Sequence, residues 1–359
     1  MTNETKPRIG ILGAGQLALM LAQAAKSLHL DIVCAGQPGD CAEQVARVMP
    51  VDLDDAAAVA AFANQVDLVT IESENIHADV LQGLPLYPNA RAIGIAQDRL
   101  LEKRFFHDCG IGTAPFAPVD SLDDLKHAID LIGLPAILKT RRMGYDGKGQ
   151  VRLRDHDQAA SAWTEVGCVP CILEGMVSFE AEVSLIAARG RTGKIVFYPL
   201  IENHHREGIL RTSIAPFIDA TLQHEAENYL TNLLQRLEYV GVLAVEFFMA
   251  NGKLLANEMA PRVHNSGHWT IEGSATSQFE NHLRAIAGLE LGSTLSHPTV
   301  MLNCIGTMPP EAETALYPGL FRHDYGKEAR PGRKVGHLTF PATERKTIAE
   351  WQHRLHSDL

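Results

Sequence analysis

At 359 residues the chain is long enough for two or three domains, and a composition that is 46% hydrophobic and 21% charged excludes a disordered protein. Its 32 basic and 43 acidic residues leave a formal charge of −11, which excludes a general nucleic-acid binder and confines positive charge to local anion sites. No apolar run approaches the roughly twenty residues that span a bilayer. The polar start Met1 to Pro7 does not read as a signal peptide, and six scattered cysteines suit free thiols in a reducing cytosol.

Arg8 to Leu12 reads as a short apolar strand, Gly13-Ala14-Gly15-Gln16 as a turn, and Leu17 to Leu28 as a helix with apolar residues at helical spacing. Strands are expected at Asp31 to Ala35 and Asp67 to Ile71, an extended segment at Val45 to Val51, and a helix at Asp54 to Asn64. This β-α-β alternation implies a parallel sheet whose ligands sit beyond the carboxyl ends of its strands. Gly13–Gln16 and Glu72–Asn75 both lie at those ends.

Gln97 to Asp108 follows as a charged helix, and Gly110 to Pro118 as a Gly/Pro-rich linker. A small α+β unit comes next. It has a helix at Leu122 to Leu131, strands at Ala136 to Thr140 and Val151 to Leu153, a helix at Ala159 to Val166 and a strand at Cys171 to Glu174. Longer strands are expected at Ala181–Ala188 and Lys194–Leu200. A long helix is expected at Leu222–Leu237, a hairpin around Asn251-Gly252 and a helix at Gln278 to Ala287. The tail from Val300 to His337 mixes strand-like and Pro/Gly-rich pieces and carries a basic cluster from Arg330 to Lys334.

Gly13-Ala-Gly-Gln-Leu-Ala18 fits the loose dinucleotide pattern, but the second strand ends in Cys34-Ala35-Gly36-Gln37 without the acid that holds a ribose. The turn and helix N-terminus are better suited to a substrate phosphate, or the glycines serve only close packing. In Lys139 to Gln150 a lysine ends an apolar strand and a second, Lys148, stands between Gly147 and Gly149. Such a loop cradles phosphate without a Walker A pattern, whereas Arg141 and Arg142 fit a solvated basic turn. The backbone of Glu174–Val177 is placed to meet an adenine edge, with Glu182 on the ribose. Glu246 in an apolar strand and Glu258 on the returning strand are brought together by the hairpin, and two such acids repel unless a cation such as Mg²⁺ lies between them. His264 and His268 lack the helix and the acidic ligand of a zinc pair, and Cys168-Val-Pro-Cys171 reads as two strand-edge thiols.

These features together resemble the ATP-grasp enzymes. The strings Thr70-Ile-Glu-Ser-Glu-Asn75, Gly144-Tyr-Asp-Gly-Lys-Gly-Gln150, Gly208-Ile-Leu-Arg-Thr-Ser213, Asn257 to Thr270 and Arg333-Lys-Val-Gly-His337 are similar to the 5-(carboxyamino)imidazole ribonucleotide synthases, from about Arg8 to His337. The resemblance implies an α/β and α+β fold of three domains. These are a Rossmann-like parallel sheet over 1–98, a small lid domain over 99–180, and a C-terminal ATP-grasp domain with the basic tail over 181–359. It implies ATP contacts from Arg99, Lys139, Gly144, Tyr145, Asp146, Gly147, Lys148, Gly149, Gln150, Glu174, Gly175, Met176, Val177, Glu182, His205, Asn257 and Glu258, with Mg²⁺ on Glu246 and Glu258. Aminoimidazole ribonucleotide is expected among Gln16, Glu74, Asn75, Tyr145, Asp146, Arg262, His264, Asn265 and Ser266, with its phosphate on Lys327, Arg333 and Lys334.

The implied reaction joins bicarbonate to the exocyclic amine of that substrate, through carboxyphosphate, as ATP is cleaved. Asp146, Lys148 and Arg262 are the expected catalytic residues, Arg262 as a fork for bicarbonate or carboxyphosphate. A cytoplasmic homodimer without nucleic-acid or membrane partners is expected. Ala18-Leu19 and Met143 depart from the family pattern, where Gly-Arg and Gly are common. The alternatives are another ATP-grasp ligase, such as a formate-using ribonucleotide transformylase, and an NAD-dependent oxidoreductase.

Overall fold

The computed structural model describes residues 6–144, 149–343 and 345–356. The first sheet is parallel, with strands β1 (Arg8–Leu12), β2 (Asp31–Gly36), β3 (Arg47–Pro50) and β4 (Leu68–Ile71) in the order β3-β2-β1-β4. Helices α1 (Gln16–Leu28), α2 (Ala56–Ala63), α3 (Ala90–Ala96) and α4 (Arg99–Asp108) accompany it. Almost every residue of β1, β2 and β4 is buried, as a parallel sheet covered on both faces requires. Helix α1 packs Leu17, Leu21, Ala25 and Leu28 into the same core as Ile9 and Ile11.

A second sheet is antiparallel, in the order β5-β8-β6-β7, with β5 (Phe116–Val119), β6 (Ala136–Thr140), β7 (Gln150–Leu153) and β8 (Cys171–Gly175). Helices α5 (Leu122–Ile132) and α6 (Ala159–Glu165) lie on it, and the Ser121 side chain caps α5 by accepting the Asp124 N–H. Strand β5 falls in the segment expected to be a linker. Its Pro118 is tolerated because β5 is an edge strand.

The third sheet has nine strands: β9 (Ala181–Arg189), β10 (Ile195–Phe197), β11 (Ile201–Arg206), β12 (Ile209–Ala215), β13 (Gly241–Ala250), β14 (Lys253–Ala260), β15 (Thr299–Ile305), β16 (Phe321–Asp324) and β17 (Lys334–Pro341). Helix α7 (Ala220–Arg236) buries Leu222, Leu230, Leu233 and Leu234 beside β9 and β13. The single strand expected over Lys194–Leu200 is shorter, and β11 and β12 form a hairpin after it, turning at Glu207-Gly208. The tail joins this sheet through β15, β16 and β17. The terminal helix Arg345–His356 then buries Trp351 with Val300, Leu302 and Phe340. An aromatic of that size buried in an apolar cluster stabilises the tail by about 2–3 kcal/mol.

Candidate active site

Residues of the second and third sheets, of α4, of the start of α1 and of the loop after β4 line one cavity of about 810 Å³. The β13–β14 hairpin, with Asn251 and Gly252 at positive φ in its turn, pairs Glu246 directly with Glu258. Both line the cavity. Burial, and then the Glu258 charge opposite, push Glu246 up to about 7. Burial also acts to raise Glu258, but the Arg99 guanidinium, whose Nη1 donates to Glu258 Oε2 at 3.1 Å, outweighs it and holds the carboxyl low. One proton and one arginine therefore do the neutralising that two facing carboxylates require.

Lys139 ends β6 and lines the cavity with its ammonium on Glu174 Oε2 at 2.9 Å. Below it lies Lys103, fully buried in α4, 3.5 Å from the same Glu174 oxygen and donating to the Asn257 carbonyl at 2.8 Å. Burial alone would raise Glu174, but the Lys103 and Lys139 charges hold it at about 2. The Glu174 carboxylate thus holds lysines in place beside the cavity that it helps to line. The N–H groups of Gly175 and Met176 are likewise committed, to Pro115 O at 2.8 Å and Pro135 O at 3.1 Å. An adenine edge is left to the carbonyls of this segment and to Val177, which also lines the cavity.

Arg141 is not part of a solvated turn, whereas Arg142 stays largely exposed. Arg141 forks onto Asp98, Nε to Oδ1 at 3.0 Å and Nη2 to Oδ2 at 2.7 Å, and Arg142 Nε reaches the same carboxylate at 3.3 Å. Asp98 also caps α4 by accepting the Leu100 N–H. The start of α4, which carries Arg99, is thereby fixed to the base of the glycine loop. Gly144 and Gln150 line the cavity and Gly149 follows at positive φ, whereas Tyr145, Asp146, Gly147 and Lys148 lie outside the described residues.

On the cavity wall Glu182 Oε2 meets His205 Nδ1 at 2.7 Å. Burial acts to lower His205, yet Glu182, with Glu246 behind it, raises it above the usual imidazole range. Phe179 and Phe248 stack at 4.8 Å and line the same wall. An aromatic wall beside a ribose-type carboxylate can hold a planar base.

The substrate half converges as well. Gln16, Glu74, Asn75, Asn257, Arg262, His264, Asn265 and Lys334 all line the cavity. Arg262 does not offer its fork to the cavity. Its Nε and Nη2 hold Glu74, the latter at 3.0 Å. Ser266 does not line the cavity; its hydroxyl lies beneath, against His264 Nδ1 at 2.9 Å. Within the basic tail only Lys334 lines the cavity. Lys327 donates to Gln16, Arg333 to the Glu328 carbonyl, and Arg330 pairs with Glu328 on the surface.

The glycine turn differs from the phosphate site expected there. Glu72, from the end of β4, fills it: the Gly15 N–H donates to Oε1 at 2.8 Å and the Ala18 N–H to Oε2 at 3.0 Å. Gly13, at φ +110°, is required because a Cβ there would stand 2.3 Å from Glu72 Cγ. The chain's own carboxylate occupies the helix N-terminus that would otherwise take an anion.

Residues 6–97 match the ribonucleotide synthetase preATP-grasp domain, 104–279 the ATP-grasp domain, and 299–350 the phosphoribosylaminoimidazole carboxylase C-terminal domain. The N5-carboxyaminoimidazole ribonucleotide synthase of Pseudomonas aeruginosa is 49% identical over 347 residues, covering 95% of this chain and 96% of that protein. The chain belongs to the N5-carboxyaminoimidazole ribonucleotide synthase family. The family's Escherichia coli member is 41% identical over 92% of this chain and 89% of its own length. Among solved members, the Thermus thermophilus synthetase superposes with a TM-score of 0.92 at 49% identity, covering 98% of this chain and 99% of that one. The Aspergillus clavatus synthase, solved with ADP and 5-aminoimidazole ribonucleotide, superposes at 0.89 with 27% identity, each chain covered to 99%.

Family membership removes the oxidoreductase alternative, and Glu72 supplies the physical reason for its failure. Sequence reasoning missed Glu102 and Lys103. Both are buried on α4, and Glu102 Oε1 accepts the Met259 N–H at 2.7 Å beside Glu258. Burial and then the Glu258 charge push Glu102 up to about 8. The available signal was Lys103 standing midway between Leu100 and Phe106 on the apolar stripe of α4, where a charge is out of place unless paired.

Proposed function

We infer that the chain joins bicarbonate to the amine of 5-aminoimidazole ribonucleotide as ATP is cleaved to ADP and phosphate, a ligase step of purine biosynthesis. The observation that carries this reading is a single cavity in which Lys139, Glu182, Glu246 and Glu258 at one end meet Gln16, Glu74, Asn75, Arg262, His264 and Lys334 at the other. Binding both halves in one enclosure makes the transfer effectively intramolecular.

Lys139 and Arg99 supply positive charge at the triphosphate end, where phosphoryl transfer is promoted by position and electrostatics. Glu182 and His205 hold the ribose, with Phe179 and Phe248 on the base. Lys334 takes the substrate phosphate and His264 faces the carboxyl donor, while Arg262, its fork held by Glu74, adds positive charge to the wall beside them. Asp146 and Lys148 are assigned from the sequence, as a proton acceptor or amine orienter and a phosphate contact. Met143, Gly144 and Gln150 line the same cavity, and excluding water from it would protect carboxyphosphate.

The donor set fits Mg²⁺. Glu246 and Glu258 are hard oxygen ligands facing one another, and burial, then the Glu258 charge, raise Glu246 to about 7, which a bound divalent cation would reverse. Among the described residues no three His, Cys, Asp or Glu side chains form a metal cage, so Glu246 and Glu258 would hold Mg²⁺ together with ligands from outside the protein. Bound there, Mg²⁺ would supply positive charge to the phosphates. Domain limits of 1–98, 99–180 and 181–359 are proposed, as is a cytoplasmic homodimer. The free cysteines support a reducing compartment: Cys171, for example, is pushed up to about 11 by burial and by Asp120, and is no redox thiol. Among the described residues no helix is long and apolar enough to cross a membrane.

The test is ADP release measured with each substrate omitted in turn. The reading requires that release depend on both 5-aminoimidazole ribonucleotide and bicarbonate. Release that needs formate in place of bicarbonate would move the chain to another ATP-grasp chemistry.

A further inference from the structure

A polar row crosses the large sheet beneath the site. Ser184 on β9 is the cross-strand partner of Glu246, Asn203 on β11 lies diagonal to Ser184, and Ser213 on β12 is the partner of Asn203. These three residues and Ser266 are buried, in strands where apolar side chains would be the simpler choice. They are joined end to end. Ser213 Oγ donates to Asn203 Oδ1 at 2.8 Å, Asn203 Nδ2 to Ser184 Oγ at 2.8 Å, and Ser184 Oγ to Ser266 Oγ at 2.9 Å. Ser266 Oγ meets His264 Nδ1 at 2.9 Å.

One backbone group sets the direction of the whole chain. The Ser266 N–H, which can only donate, points at His264 Nδ1 at 3.3 Å. Nδ1 is therefore an acceptor, and the Ser266 hydroxyl hydrogen is directed to it as well. Ser266 Oγ must then accept from Ser184, Ser184 from the Asn203 amide, and Asn203 Oδ1 from Ser213. His264 cannot shift to escape this, because Gln278 holds both of its backbone groups: the His264 N–H donates to Gln278 Oε1 at 2.9 Å, and Gln278 Nε2 donates to the His264 carbonyl at 2.6 Å.

We propose that the Ser213–Asn203–Ser184–Ser266 chain locks His264 as the tautomer with a bare Nδ1 and a protonated Nε2, so that it meets the carboxyl donor as a hydrogen-bond donor and not as a base. Nε2 is the nitrogen turned to the cavity side, 3.5 Å from Glu246 Oε1. The charged and titratable groups facing the ring are Glu246, Arg262, Lys334 and His205, with His268 behind. A fixed neutral donor suits an oxygen that gains negative charge during transfer. The amine proton is then accepted elsewhere. The substrate part of this statement rests on the proposed function; the tautomer does not.

The test is nitrogen NMR of ¹⁵N-histidine-labelled, ligand-free full chain, with His264 identified by the signals lost in His264→Gln. The expected spectrum at about pH 8, where an ordinary imidazole is neutral, shows an unprotonated Nδ1 and a protonated Nε2. A proton on Nδ1 overturns the proposal whatever the enzyme's substrate proves to be. Asn203→Asp places an acceptor where the chain needs a donor, so Ser184 turns away from Ser266. The Ser266 N–H still points at Nδ1, but the Ser266 hydroxyl loses the donor that orients it, so the His264 Nδ1 signal should move toward that of a weakly hydrogen-bonded acceptor, and kcat should fall about 10–100-fold with little change in the KM for ATP. Unchanged Nδ1 and kcat would show that the chain does not set the tautomer. If that variant does not fold, Ser266→Ala removes only the last hydroxyl and is expected to shift the same signal. An unmoved signal there refutes the proposal equally.

Discussion

Replacing Lys103 with Met probes how the phosphate end of the site is held from beneath. Lys103 contacts no substrate. Its buried ammonium donates to the Asn257 carbonyl at 2.8 Å, one residue before Glu258, and lies 3.5 Å from Glu174. Burial acts against the Glu174 carboxylate, yet Lys103 first and Lys139 second hold it at about 2, against an ordinary 4.5. That gap corresponds to about 3 kcal/mol of stability at neutral pH. Lys103 provides the largest favourable part, and its charged bond to the carbonyl adds about 1.5–3 kcal/mol. Met keeps the length and apolar volume but leaves Glu174 with Lys139, so the loss is smaller than for a stranded buried charge. We expect about 2–4 kcal/mol.

The pH dependence has a definite sign. Glu174 is a carboxylate with a depressed folded pKa, so its contribution is complete above about 4.5 and is lost as pH falls toward 2. The deficit of Lys103→Met should therefore be full at neutral pH and narrow on acidification. Urea denaturation of both proteins at about pH 7 and about pH 3.5 measures it. A neutral-pH loss below about 1 kcal/mol, or one equal at the two pH values, would refute the reasoning.

Glu258→Gln keeps the hairpin but removes a cation ligand, and ADP release at saturating Mg²⁺ should be abolished while circular dichroism is unchanged. Lys139→Ala is expected to raise the ATP requirement by a few kcal/mol, read by nucleotide titration, because a phosphate charge loses its partner. Glu246 carries a raised pKa of about 7, so a cation must displace its proton. The Mg²⁺ concentration giving half-maximal activity should fall as pH rises to about 7 and then level, and a flat dependence would remove Glu246 from the metal site. Lys334→Ala should weaken 5-aminoimidazole ribonucleotide binding in calorimetry and leave ATP affinity nearly unchanged.

Much of this site could be read from local pattern. The Asn251-Gly252 turn fixes the hairpin register as far as Phe247, and a bulge next to Glu246 then brings Glu258, in place of Asn257, opposite it. The alternation of strands and helices likewise placed Gln16 and Glu72–Asn75 at one crevice. What escaped were pairings between distant segments. Glu74 and Arg262, 188 residues apart, satisfy one another, so an arginine read as a ligand fork has its fork taken. Glu72 filling the glycine turn is a contact across 57 residues, and no local signal separates it from a bound phosphate. Lys103 and Glu102 read as ordinary helix charges, because burial depends on which face α4 turns to β14. Ser184, Asn203 and Ser213 are small polar residues scattered over three strands, and only strand order joins them.

The account stands most directly on the fate of bicarbonate. The protein is incubated with labelled bicarbonate, ATP, Mg²⁺ and 5-aminoimidazole ribonucleotide, and label in acid-labile carbamate is counted beside ADP. The account predicts one label incorporated per ADP released, and none when either ATP or the ribonucleotide is left out. ADP formed at full rate without incorporation of label, or only with formate or an amino acid present, would contradict it.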